Sequence, residues 1–185
     1  MMNRYLTGHL PLISIFFFSL SFALYGQRFA LSWLERNGIL TGMADILSIN
    51  EVRIGLIIVL LLVFFMIFAA LKLIADTVTS LALLFFSKQE DDDLWKKTQG
   101  GQWIYFAGSI AALVLNPFVI VLLLLFVASS FAYILFIVYR IAESLTIPGL
   151  IGFIFFQLFF WSTFLFTIIF VLLRLYNTFI ASLPL

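Results

Sequence analysis

The sequence contains no cysteine and one histidine, His9. Without thiols there is no disulfide, thiolate metal site, cysteine nucleophile or S-acylation. Zinc is held by three or four His, Cys or acidic ligands, so a lone histidine leaves no zinc site in view. Charge is scarce as well: 10% of residues are Asp, Glu, Lys or Arg, where a soluble domain carries about 25%. The net charge of +1 supplies no basic patch or stripe for nucleic acid. There is no P-loop, no H-E-x-x-H pair and no G-x-S-x-G elbow. The expectation is a protein that is not an enzyme and carries no metal or cofactor.

Apolar residues fill the space: 64% of the chain is hydrophobic. Residues 10–27, 54–71, 100–139 and 145–173 carry no charged side chain. A helix crosses a bilayer with about 20 apolar residues, and each run approaches or exceeds that. The chain therefore reads as a single all-α transmembrane domain over residues 1–185, a polytopic helical bundle. The run after Arg4 is longer than the apolar core of a secretory signal, and further spans follow. It reads as a retained first helix.

The spacing predicts five spans. The first covers about 10–25, with Pro11 in its opening turn. The segment 27–38 extends it or lies at the interface, with Trp33 at headgroup level and Gly38 as a C-cap. Ser48 and Glu51 fit a capping box that opens the second span. Its apolar run reaches Phe86, about 50 Å at helical rise, so it projects beyond the bilayer or bends near Lys72. In the polar loop that follows, one of Asp91–Asp93 can cap a helix from about Leu94. Asn116-Pro117, with Asn116 as N-cap and Pro117 as first residue of the following helix, then divides a run too long for one span. The third span covers about 94–115 and the fourth 117–139, with a proline-kinked single helix, and so four spans, as the alternative. Thr146-Ile147-Pro148 opens the fifth, which runs to about Arg174. No internal repeat is visible, so the inverted repeats of many transporters are not in evidence.

Lys and Arg near the spans favour the cytoplasm. With the N-terminus inside, Arg4, Lys72, Lys88, Lys96, Lys97 and Arg140 fall inside, and Arg28, Arg36, Arg53 and Arg174 outside. The four-span alternative exchanges Arg140 with Arg174 and leaves the balance unchanged.

Few residues could carry chemistry. Lys72 and Asp76 share a helix face and can pair. The pair could couple ions or protons, but mutual neutralisation with the lysine snorkelling to the interface is the reading preferred. Thr77, Thr79 and Ser80 could line a cleft beside Asp76, although bonds to their own helix are the plainer use. Gln157 stands alone among aromatics in "FIFFQLFFWSTFLF", as a ligand contact or, by preference, an interhelical hydrogen bond. Asn116 completes the set of polar candidates for a ligand-lined cavity. The acidic run 90–93 lacks the interleaved spacing of a calcium loop. Ala107, Gly108, Ala111 and Ala112, with Ala128 and Ala132, form small-xxx-small pairs that let helices approach, within one chain or between two copies.

The strings "FAALKLIADT", "LALLFFSK" and "LYNTFIASLPL" resemble the YufK-like family of small Bacillus membrane proteins, and the resemblance runs nearly end to end. It implies a multi-pass protein of a Gram-positive plasma membrane and carries over no catalytic or binding residue. The sequence thus points first to a non-enzymatic membrane protein, its partners the lipid bilayer and either a second copy of itself or another membrane complex. The alternative is a small transporter, or the membrane-embedded substrate-binding subunit of one.

Overall fold

Helix accounts for nearly all of the computed structural model, which describes residues 4–43, 47–87, 99–142 and 144–181. The helices are α1 (Arg4–Arg36), α2 (Ile39–Met43), α3 (Ile49–Phe86), α4 (Gln102–Val114), α5 (Val119–Ala142) and α6 (Ile147–Ala181). A single 3₁₀ turn, Gln99–Gly101, leads into α4. The acidic run 90–93 and the expected start near Leu94 lie outside the described residues.

Local chemistry explains the boundaries. Gly38 ends α1 in the left-handed region at φ 69°, where a Cβ would be strained, and its N–H donates to the Glu35 carbonyl at 3.1 Å. At the start of α3 the Glu51 N–H donates to Ser48 Oγ at 3.3 Å, and the Ser48 N–H donates to the Glu51 carboxylate at 2.7 Å. Two otherwise orphaned donors are satisfied reciprocally. One expectation needs correction: Pro11 lies inside α1 rather than in its first turn, because the helix already includes Arg4. Of the two readings of the segment after the first span, the extension holds, since residues through Arg36 continue α1.

Serines inside α1 show how polar groups survive in an apolar helix. Ser14, Ser19 and Ser21 are buried, and each donates its hydroxyl to the carbonyl four residues back, at 2.7, 2.6 and 2.8 Å. The hydroxyl is satisfied by its own backbone and exposes nothing to lipid.

Successive helices of the bundle, α1, α3, α4, α5 and α6, alternate in direction. Phe18 meets Phe68 and Phe22 meets Phe64, so α3 runs antiparallel to α1. Phe17 stacks on Phe106, which places α4 beside α1. Then Gly108 meets Ser129 and Tyr105 meets Ser130, a hairpin closed around residues 115–118. Asn116-Pro117 therefore marks a turn and not a kink: α4 stops at Val114, and α5 starts at Val119 and packs back on it. Finally α6 lies against α3 through Gln157 and Thr79.

Among the described residues, four helices are long and apolar enough to cross a membrane: His9–Arg36, Ile49–Phe86, Val119–Ala142 and Ile147–Ala181. The fifth, α4, is apolar but has 13 residues, about 20 Å of helix against a hydrocarbon core of about 30 Å. The bundle is thus four long helices with a shorter one among them. Its outer surface is strongly apolar, with Met66, Leu84, Phe131 and Phe155 each at least 62% exposed. Such a surface suits lipid rather than water.

Two packed clusters hold the bundle. Phe18, Phe22, Phe68, Ala112 and Leu122 join α1, α3, α4 and α5. Ala82, Leu83, Tyr133, Ile137, Ile141 and Phe153 join α3, α5 and α6.

Candidate functional site: a cavity between the two clusters

A cavity of about 420 Å³ lies between these clusters, with walls from α1, α3, α4, α5 and α6. Phe18 and Phe68 border it from one cluster, Tyr133 and Ile137 from the other. Its volume falls within the ordinary range for small-molecule sites, roughly 300–1,000 Å³. The wall is mostly apolar, and the exceptions are specific.

Lys72 and Asp76 form an ion pair along α3, both half-buried, and Lys72 lines the cavity. One helical turn on, Thr79 also lines it and accepts a hydrogen bond from Gln157 Nε2 at 3.1 Å. Gln157 Oε1 in turn accepts from Trp161 Nε1 at 3.2 Å. Across the cavity, Tyr105 donates to Ser130 Oγ at 3.0 Å, and Ser130 donates to the Phe126 carbonyl at 2.9 Å. Gln102 lines the cavity as well; its Oε1 is the one buried side-chain acceptor without a partner among the described residues.

The structure sorts the sequence candidates. It brings Lys72 and Gln157 to one cavity, with Asp76 attached through Lys72. It places Asn116 elsewhere, at the α4–α5 turn. Its expected role as the N-cap of the following helix is also corrected. The Asn116 side-chain amide donates backwards to the Leu113 carbonyl at 2.9 Å, and its oxygens accept from Arg28. The turn consumes two more residues before α5 begins, so Asn116 closes α4 instead of opening α5. Thr77 and Ser80 donate to carbonyls of their own helix, both at 2.8 Å. His9 is exposed.

The small residues also divide. Gly108 faces α5 and Ala112 is fully buried, whereas Ala107 and Ala128 are exposed and Ala111 and Ala132 half-buried. No group of three or more His, Cys, Asp or Glu able to hold a metal occurs among the described residues.

Tyr105, Ser130, Tyr133, Gln102 and Trp161 were not singled out by sequence. One signal was available: Tyr105 and Ser130 sit at similar distances either side of the Asn116-Pro117 turn, where an antiparallel hairpin would pair them.

Residues 27–184 match the family of unknown function DUF5366. An uncharacterized membrane protein of Bacillus subtilis (strain 168), YufK, is 42% identical over 184 residues, covering 100% of both chains. The chain belongs to the DUF5366 family. Its resemblance to YufK, read from short strings, thus extends over the full length. No solved structure matches it. The DUF5366 match takes in α3 to α6, and with them most of the cavity wall. Together with the four long apolar helices, the relationship makes this a multi-pass membrane protein.

Proposed function

We propose that the protein binds a small lipophilic molecule inside the membrane, without transforming it, as a membrane-embedded binding protein or the binding subunit of a transporter. One observation carries this: polar side chains from α3, α4, α5 and α6 converge on one largely apolar cavity instead of scattering to the helix ends. An apolar cavity with a few convergent polar groups is the usual form of a ligand site. Lys72, Thr79 and Gln157 provide the polar face, and Phe18, Phe68 and Phe126 the apolar one. The relationship to a Bacillus protein supports the cell membrane as its location.

Association with a second copy or another complex is the weaker reading. The exposed Ala107 and Ala128 permit close helix approach.

The test is occupancy. Protein released gently from membranes is weighed by native mass spectrometry, beside Ala75→Phe, which fills the cavity from the α3 wall. A co-purifying small molecule that Ala75→Phe excludes supports the proposal. An adduct pattern identical in both proteins overturns it.

A further inference from the structure

Resting on that reading, we infer that the cavity selects an uncharged lipophile carrying a hydrogen-bond donor, and that the Lys72–Asp76 pair enforces the neutrality. Among the described residues, Lys72 is the sole Lys, Arg, Asp or Glu of the cavity wall, and its ammonium group is already committed to Asp76. The two charges cancel, so the described wall has no spare charge of either sign. An anionic ligand would have to displace Asp76 from Lys72. A cationic one would have to displace Lys72 from Asp76. Either exchange leaves a charge unpaired among apolar side chains, which is strongly unfavourable.

The hydrogen bonds specify the rest. Gln157 is spent on Thr79 and Trp161, and Tyr105 on Ser130. Gln102 Oε1 has no partner, and a buried acceptor in that state favours a ligand that brings an O–H or N–H. Aromatic rings form much of the remaining wall: Phe68 and Phe126 lie 4.9 Å apart, and Phe18 and Phe126 5.5 Å. Ring faces and edges suit an unsaturated or planar apolar body. The class is therefore a neutral unsaturated alcohol or a molecule of similar character.

Three probes with one skeleton test this: farnesol, farnesyl phosphate and farnesylamine. Each is titrated into detergent-purified protein, and bound adducts are counted by native mass spectrometry. Wild type should hold farnesol about tenfold or more above either ionic analogue, given the penalty for an unpaired buried charge. Asp76→Asn should release Lys72 and raise farnesyl phosphate occupancy about tenfold, while Lys72→Gln should do the same for farnesylamine. The two variants are independent, and the wild-type series needs neither. Equal occupancy by the three probes in wild type, all blocked by Ala75→Phe, would overturn the selectivity and leave the cavity reading intact. Farnesol adducts that Ala75→Phe does not reduce, or no adducts at all, would overturn both.

Discussion

The Arg28 guanidinium holds Asn116 by two of its oxygens at once: the backbone carbonyl at 2.8 Å and the side-chain Oδ1 at 2.6 Å. The residues are 88 apart in sequence, and the contact fixes the α4–α5 turn to the C-terminal part of α1. Asn116→Ala removes the Oδ1 acceptor and the bond to Leu113. Because the site is exposed, the expected loss is about 1 kcal/mol, or about 2–4 °C in Tm for a chain of this size. Both bonds come from one nitrogen, Nη2; Arg28→Lys keeps the charge but replaces the longer planar guanidinium with a compact ammonium, and should lose part of the same stability. Thermal unfolding in detergent measures both, and unchanged Tm values in the two variants would show the clamp to be incidental.

At Gly108, α4 approaches α5 closely. A Cβ there would collide with Ser129 Oγ and touch the Phe18 ring at 3.5 Å. Gly108→Leu should therefore cost about 1–3 kcal/mol through overpacking. The smaller Gly108→Ala should be substantially rescued by Ser129→Gly. Leu123→Ala, at a half-exposed position, serves as the control and should matter less. Failure of the second change to rescue the first would place the strain elsewhere.

Gln157 bridges α3 and α6. Gln157→Leu strands both Thr79 and the Trp161 indole N–H, and intramembrane hydrogen bonds of this kind average about 0.6 kcal/mol, reaching about 1.7. Thr79→Val alone should be destabilising on the same scale. The double variant should be less destabilised than the sum of the two, because no lone partner remains in that bond. Strict additivity in a thermal-unfolding cycle would show that the two side chains are not coupled.

Topology is testable because the chain has no native cysteine. The alternating helix directions place the α1–α3 connection and the C-terminal end of α6 on one side, and the α5–α6 turn on the other. With the positive-inside bias, Gly42→Cys and Asn177→Cys should react with an impermeant thiol reagent in intact cells, while Ser144→Cys stays shielded. A reactive Ser144→Cys beside an unreactive Asn177→Cys would mean that α4 does not reverse the chain across the bilayer.

Local signals were legible in the sequence because they act over three or four residues. The Ser48–Glu51 box, the Gly38 cap and the Lys72–Asp76 pair depend on spacing alone, and each was readable. Asn116 was read as a cap of the wrong helix. Asn-Pro is compatible with either end of a turn, and its partner Arg28 is remote in sequence. The cavity was hidden for a related reason. Its wall depends on how α3, α5 and α6 are phased against each other, and long runs of Leu, Ile and Phe give little periodicity from which to read a face. Gly108 and Ala107 are neighbours in sequence, yet one meets Ser129 and the other is exposed.

From Leu165 onward every described residue of α6 is exposed, while its buried residues are Phe153 and Gln157. Such a helix packs through its first half and turns most of its second half to lipid, so bilayer thickness bears on its inclination. Tilt responds to the match between apolar length and hydrocarbon thickness. Leu165 and Ile168 lie on that exposed arm and also line the cavity. A change in the acyl-chain length of the surrounding lipid should therefore alter the width of the site. Spin labels at Leu172→Cys and Leu62→Cys, both exposed, should change separation between short-chain and long-chain lipid nanodiscs; a fixed separation would mean that α6 is rigidly held after all.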